Sequence, residues 1–448
     1  MNPASSQRPP EARIPTLLEL GHQLDWTQGL SPAALRAWQF EQLQRLLRHA
    51  HNTIPFYRRR LQEAGIDPRH PIDPEKWKKL RILSRPELQR MAEVMVSNKL
   101  PATHKPTYSI QTSGSTGMPI KAMGTALTRV YWNAITLRDH AWQRRNLSGK
   151  LAAIRAEGSD KFPKGGLVLP NWGPPTTELY QTGPATVLSV QTDIIEQAAW
   201  LVEQNPDHVI TYPSNLKALA KHFLHSGQKV PSLREVRTYG ETVNQELRDL
   251  CRQALGVPLV DMYSSQEVGY IALQCPEHEH YHVQSENVLV EILNADNEPC
   301  EPGEVGQVVI TTLQNYAMPL IRYAILDYAE VGTACSCGRS LPVLNRVMGR
   351  QRNMLTLPNG KHTWPTFPVK SWGHIKAIRQ MQLVQKTLEH IEVRLVADRP
   401  LGPNEESELA EILRQRFGHP FQVSFLYLDR IERGKNFKFE DFISEVAG

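Results

Sequence analysis

The chain has 448 residues, 40% hydrophobic and 22% charged, with 27 glycines and 33 prolines. That apolar content supports two or three domains and excludes a disordered or collagen-like chain. The formal charge of +5 arises from 51 basic and 46 acidic residues spread along the chain, which permits an anionic small ligand and gives no reason to expect nucleic acid as a partner.

No stretch approaches the roughly 18 consecutive apolar residues of a membrane-spanning helix. The N-terminus carries Arg8, Glu11, Arg13 and several prolines before its short apolar patch, unlike a signal peptide. A cytoplasmic protein with no membrane partner is expected. Five cysteines, an odd number, do not make a disulfide framework, which leaves metal binding or burial.

A helix is predicted from Ser31, which can cap it, with Pro32 in the first turn and Leu35, Trp38, Leu43, Leu46, Leu47 and Ala50 along an apolar face. Beyond Pro101, Thr107 to Ile110 reads as a short strand running into Thr112-Ser113-Gly114-Ser115-Thr116-Gly117. Glycines let backbone amides approach an anion and hydroxyls add donors, so this segment is a candidate phosphate loop, with a flexible turn as the alternative. Met118-Pro119 follows where a P-loop NTPase has Lys-Ser or Lys-Thr. The next predicted helix carries Tyr131 and Trp132, candidate pocket walls or core residues.

The middle of the chain alternates strand and helix patterns, which predicts an α/β domain. Strands are predicted at Leu151 to Ile154, His208 to Tyr212, Glu235 to Tyr239 and Val257 to Tyr263, and helices at Ile194 to Glu203, Lys217 to Phe223 and Leu247 to Leu255. Tyr239-Gly240-Glu241-Thr242 and Tyr263-Ser264-Ser265-Gln266-Glu267 close two of these strands, where open α/β sheets collect ligands. Either tyrosine offers a flat face to a purine, and Glu267 offers a carboxylate to Mg2+. After Tyr281 the pattern turns β-rich, with strands at Val288 to Leu293 and Val305 to Leu313.

Cys275, then His278, His280 and His282, then Cys335-Ser336-Cys337 supply three thiolates and a choice of imidazoles for a closed tetrahedral zinc site. From about Gln351 a smaller α+β unit is predicted, with strands at Met381 to Gln385, Ile391 to Ala397 and Phe421 to Leu428 around a helix at Glu405 to Phe417. The expected division is residues 1–350 and 351–448, joined at Gly349-Arg350-Gln351-Arg352-Asn353. Near the end, Gly434-Lys435 places a lysine in a turn, able to bring a compact positive charge to a phosphate.

In this order the segments resemble the adenylate-forming, or acyl-CoA synthetase, superfamily and within it the phenylacetate:CoA ligase family. Ile54-Pro55-Phe56-Tyr57-Arg58 with Ala64-Gly65-Ile66 is similar to the family's N-terminal signature, and Thr112 to Gly117 to its phosphate loop. Met318 to Tyr323 followed by Asp327 is similar to the ribose-binding segment, Gly349-Arg350 to the hinge, and Gly434-Lys435 to the catalytic lysine motif. The resemblance implies a large adenylation domain with a small mobile C-terminal domain. It implies attack of a carboxylate, aromatic or similarly small, on the α-phosphorus of ATP, followed by transfer of the acyl group to coenzyme A.

By the same resemblance Thr112 to Gly117 hold phosphates, Glu267 helps bind Mg2+, and Lys435 bridges carboxylate and α-phosphate. Gly240, Glu241, Thr242 and Tyr263 frame the adenine, Asp327 takes the ribose hydroxyls with Arg350 nearby, and Asn353 is the pivot. A zinc-binding branch of the family implies Cys275, His282, Cys335 and Cys337 as the zinc ligands, and dimers are frequent among its members. Gln266, Leu326 and Asn353 depart from the residues usual at their positions. These departures keep open an amine, hydroxyl or carrier-protein thiol as acceptor, and also a nucleotide-binding protein without turnover.

Overall fold

The computed structural model describes residues 13–111, 119–156, 163, 165–365, 367, 371–431 and 439–446. The predicted phosphate loop, Thr112 to Gly117, and Lys435 lie outside the described residues. Helices α1 (Leu17–Thr27), α2 (Pro32–Thr53), α3 (Pro55–Glu63), α4 (Pro74–Lys79) and α5 (Arg85–Met91) lead to a hairpin of β1 (Thr107–Gln111) and β2 (Lys121–Thr125). The central part follows as α6 (Ala126–Trp142), β3 (Leu151–Arg155), β4 (Leu167–Leu169), α7 (Thr176–Leu179), β5 (Ala185–Ser189), α8 (Ile194–Gln204), β6 (His208–Thr211), α9 (Pro213–Ser226), β7 (Glu235–Tyr239), α10 (Gln245–Leu255) and β8 (Leu259–Ser265). Strands β9 (Gly269–Gln274), β10 (Tyr281–Val283), β11 (Val288–Leu293), β12 (Val305–Thr312), β13 (Tyr323–Val331) and β14 (Val343–Arg350) complete the larger part. The smaller part contains β15 (Leu355–Thr356), β16 (His362–Thr363), β17 (Ile378–Thr387), β18 (His390–Ala397), α11 (Pro403–Phe417), β19 (Gln422–Tyr427) and β20 (Phe442–Ser444).

Local chemistry sets these boundaries. Ser31 accepts a hydrogen bond from Ala34 N and Pro32 opens α2, as the cap pattern predicts. Thr125 and Thr128 form a reciprocal cap at the start of α6. Helix α9 begins at Pro213, a turn before the predicted start, because a proline at the first helical position loses no hydrogen bond.

One sheet runs in the order β11-β12-β13-β14-β10-β9-β8-β7-β6-β3-β5-β4. Strands β3, β5, β6, β7 and β8 are mutually parallel. From β8 onward through β9, β10 and β14 the pairing is antiparallel, so β8 is the seam between two kinds of sheet. A parallel sheet needs cover on both faces. Helices α8, α9 and α10 cover one with Leu201, Phe223 and Cys251, and α1 and α6 cover the other with Leu20, Leu24 and Ile135. The antiparallel half packs on α2 and α3 through Leu43, Leu47, Tyr57 and Leu61.

The C-terminal unit has its own sheet, ordered β19-β18-β17-β20, and its own core of Ile391, Val393, Leu395, Leu409, Leu413 and Phe417. The fold is thus α/β with a small C-terminal α+β unit, as the patterning predicted. Patterning alone did not place β13 and β14. Their pairing shifts register twice, and Leu326 sits at φ +69° in the left-handed region, which breaks the alternation that marks a strand. A glycine would take that conformation without the penalty that a Cβ imposes on Leu326. Among the described residues no helix is long and apolar enough to cross a membrane.

Candidate active site and metal centre

A cleft of about 2500 Å3 opens at the carboxyl ends of the parallel strands and runs between the large sheet and the C-terminal unit. Gly240, Glu241, Thr242, Tyr263, Glu267, Asp327, Arg350 and Asn353, predicted from four separate stretches of sequence, all line it. At the end of β7, Gly240 turns with φ +82° and releases the chain from the sheet. The Glu241 carboxylate that follows accepts hydrogen bonds from Ser214 N at 2.7 Å and Ser214 Oγ at 3.0 Å, at the start of α9. It also accepts from Phe439 N of the C-terminal unit at 2.9 Å.

Seam strand β8 carries Tyr263, whose hydroxyl donates to Asp327 Oδ2 at 2.8 Å. Burial and then the Asp327 carboxylate push this phenol well above its ordinary pKa, so it remains a donor. Asp327 and Arg350 are cross-strand partners on β13 and β14, and Arg350 Nε lies 3.6 Å from Asp327 Oδ1. Gly349 suits this position because its φ of +104° strains any residue with a Cβ, which would also sit 3.0 Å from Thr242 Oγ1. Glu267 is buried in the turn after β8, 3.8 Å from Arg85 Nη1.

Asn353 joins the two units. Its Oδ1 accepts from Arg350 N at 3.3 Å and its Nδ2 donates to Phe442 O at 2.8 Å. Beside it Arg352 pairs with Glu440 at 2.6 Å, and Lys217 of α9 pairs with Asp441 at 2.9 Å. Tyr131 packs in the core, whereas Trp132 is 40% exposed, lines the cleft and stacks with Tyr270 at 4.4 Å between centroids.

A second cluster lies at the far ends of β9 and β10. One ligand atom each from Cys275, His282, Cys335 and Cys337 falls within 4.8 Å of the others. Cys275 Sγ is 3.9 Å from Cys335 Sγ, and Cys337 Sγ is 3.3 Å from His282 Nε2. His282 Nδ1 is 3.3 Å from Leu341 O, which fixes the ring with Nε2 toward the sulfurs. Glu277 N and Cys337 N donate to Cys275 Sγ and Cys335 Sγ at 3.5 and 3.4 Å, bonds that favour thiolate sulfur. Burial pushes the Cys275 thiol up to about 12, so its thiolate needs a cation at this point. Three sulfurs and one imidazole are a donor set suited to zinc in a closed tetrahedral site. His278 instead faces Ser336 Oγ at 3.1 Å, and neither it nor His280 belongs to the quartet.

Sequence reasoning missed Arg85 beside Glu267 and a buried polar group at the inner end of the cleft, Arg237 with Asp139 and His140. One signal was present: Trp132, Thr136 and His140 recur every fourth residue on α6 and share its cleft-facing stripe.

The sheet with its attached C-terminal unit has the fold of solved CoA ligases. The crystal structure of 2-hydroxyisobutyryl-CoA ligase in its postadenylation state superposes with a TM-score of 0.73 at 18% identity, over 94% of this chain and 91% of that one. Residues 367–445 match the CapK C-terminal domain family. In sequence the chain is 28% identical over 352 residues to a phenylacetate-coenzyme A ligase of Thermus thermophilus, covering 74% of each protein. It is 27% identical to the phenylacetate-coenzyme A ligase of Escherichia coli, covering 77% of each. In sequence the chain is thus similar to phenylacetate-coenzyme A ligases, and in fold to a solved CoA ligase.

Proposed function

We propose that the protein is an AMP-forming acid:thiol ligase that activates an aromatic or similarly small carboxylic acid as its acyl-adenylate and passes the acyl group to coenzyme A. The observation that carries this reading is the convergence of Tyr263, Asp327, Arg350, Glu267 and Gly240 to Thr242 on one cleft at the sheet seam, in a chain whose sequence relatives are named as phenylacetate-coenzyme A ligases.

The first half-reaction brings a carboxylate against a triphosphate, so the site must offset repulsion between anions before they meet. Thr112 to Gly117 hold the phosphates through backbone amides and hydroxyls, and Lys435 bridges the carboxylate and the α-phosphate as charge develops. Tyr263 and Gly240 to Thr242 frame the adenine, and Asp327, steered by Tyr263 and Arg350, accepts from the ribose hydroxyls. Glu267, a buried carboxylate on the cleft, suits Mg2+ held otherwise by phosphate oxygens. That ion, when bound, screens the triphosphate.

The chain divides into residues 1–350 and 351–448, and the smaller part rotates about Asn353 to withdraw Lys435 and admit the thiol. Cys275, His282, Cys335 and Cys337 hold zinc as a structural tie between the strand ends, with no open position for chemistry. A cytoplasmic setting agrees with the substrates ATP and coenzyme A, and homodimerisation follows the resemblance alone.

The decisive experiment is pyrophosphate release from ATP and Mg2+ over a panel of aryl, heteroaryl and aliphatic acids, with and without coenzyme A. Release should require one acid class, and thioester should appear only with coenzyme A. Lys435→Ala should abolish release while a preformed adenylate still reacts with thiol. ATP binding without release across the panel would overturn the reading.

A further inference from the structure

Inside the cleft, between α6 and the sheet, lies a polar group that a purely hydrocarbon acid would leave unmatched. Trp132, Thr136 and His140 line one wall, eight residues of helix or about 12 Å of rise from first to last. Ile210 and Arg237, register partners on β6 and β7, line the facing wall. Arg237 lies two residues inward from Tyr239, where β7 gives way to the predicted nucleotide segment at Gly240. Tyr270 closes the side, its hydroxyl 3.1 Å from Thr136 Oγ1.

Arg237 is 6% exposed and pairs through Nη2 with Asp139 Oδ2. Its Nε–H is buried without a hydrogen-bond partner among the described residues. Asp139 also receives Arg145 Nη1 at 2.7 Å, and Arg145 Nε pairs with Glu235. His140 Nδ1 is 3.2 Å from Arg145 Nη1 and Nε2 is 3.2 Å from Thr176 Oγ1. Nδ1 therefore accepts and Nε2 carries the hydrogen, and burial together with the two arginines keeps the ring neutral. Two carboxylates thus balance two guanidinium groups. The cluster has no spare positive charge for an added carboxylate, yet Arg237, its arginine on the cleft wall, keeps an unspent Nε–H, while Arg145 Nη2 and Asp139 Oδ1 deeper in the cluster are also without partners among the described residues. Burying such a donor unpaired is costly.

Resting on the acid-activating reading above, we propose that Arg237 is a specificity-determining residue, and that the preferred acid carries a neutral hydrogen-bond-accepting oxygen, a hydroxyl or a carbonyl, remote from its carboxylate. The apolar body of the acid lies along Trp132 and Ile210, and its distal oxygen accepts from Arg237 Nε–H. A plain aryl acid fits the walls and leaves the donor unpaired. A site built around such a bond discriminates against the analogue lacking the oxygen.

The test compares phenylacetate with 3- and 4-hydroxyphenylacetate, and benzoate with its 3- and 4-hydroxy derivatives, by ATP-dependent pyrophosphate release. The full-length protein is expected to favour a hydroxylated acid over its parent by roughly tenfold to a hundredfold in kcat/KM. Arg237→Lys, which keeps the charge beside Asp139 but removes the Nε–H, should bring that ratio close to one. Parents used as well as or better than every hydroxylated partner would overturn the proposal, and so would an unchanged ratio in Arg237→Lys. Should that variant fail to fold, the wild-type ratios decide alone. Absence of release with any acid in the wider panel would instead remove the activity on which the proposal rests.

Discussion

The hydrogen bond between Tyr263 and Asp327 joins the seam strand to the antiparallel half of the sheet at the predicted nucleotide site, and a double-mutant cycle can measure it. The bond is 2.8 Å long, its acceptor carboxylate has a side chain only 15% exposed, and the phenol is buried. A hydrogen bond to a charged group in such surroundings contributes about 1.5–3 kcal/mol. The second partner of Asp327, Arg350 at 3.6 Å, is one-third exposed and contributes less than about 1 kcal/mol. Tyr263→Phe, Asp327→Ala and the double variant would be compared by urea unfolding. If the two side chains act as a unit, the double variant should lose little more than the worse single variant, with a coupling of about 1.5–3 kcal/mol. ATP affinity should fall more in Asp327→Ala than in Tyr263→Phe, because the carboxylate is the group assigned to the ribose. Single effects that simply add, within about 0.5 kcal/mol, would refute the argument.

Asp261, buried on β8, has its carboxyl raised to about 6 by burial, against hydrogen bonds from Thr238 and Tyr281. Since the folded value lies above the unfolded one, its stabilising contribution is complete below about pH 4 and is lost as pH rises through 6. Asp261→Asn should therefore gain on wild type by up to about 3 kcal/mol between pH 4 and pH 8, and a pH-independent difference in unfolding free energy would count against this. Elemental analysis should find one zinc per chain, lost in Cys337→Ser and His282→Ala but retained in His278→Ala and His280→Ala; loss through His280 with retention in His282→Ala would reverse the assignment. Gly349→Ala should cost about 1–3 kcal/mol from its backbone conformation and weaken ATP binding through Thr242, measured by thermal unfolding and calorimetry; an unchanged melting temperature would show that the φ of +104° imposes no strain.

The parallel core was legible because short β-branched and aromatic runs such as His208 to Tyr212 alternate with amphipathic helices such as Leu247 to Leu255. Cys275, Cys335 and Cys337 were legible because thiols in a chain without a disulfide pattern narrow the chemistry. The choice of His282 among three histidines rested on resemblance, since spacing cannot reveal that β10 pairs His282 with Leu273 and Val343 and turns it inward. Asp327 and Arg350 were likewise placed by resemblance, because the register shifts of β13 and β14 hide the alternation. The cluster at Arg237 was not legible at all. A charged residue inside a strand normally marks a solvated face, and its counter-charge, Asp139, belongs to a helix on the opposite side of the pocket.

The segment from Phe439 to Phe442 is held to the larger part by Glu241 and Lys217, and within the smaller part by Arg352 and Asn353. In sequence it begins four residues after Lys435, the lysine proposed to reach the α-phosphate. The proposed rotation would have to release the two contacts to the larger part, one of which, Lys217 with Asp441, is an ion pair with partly exposed side chains. Salt weakens such pairs. On the proposed rotation, ionic strength would act as a throttle: raising it weakens the Lys217–Asp441 pair and eases the smaller part away from the larger one.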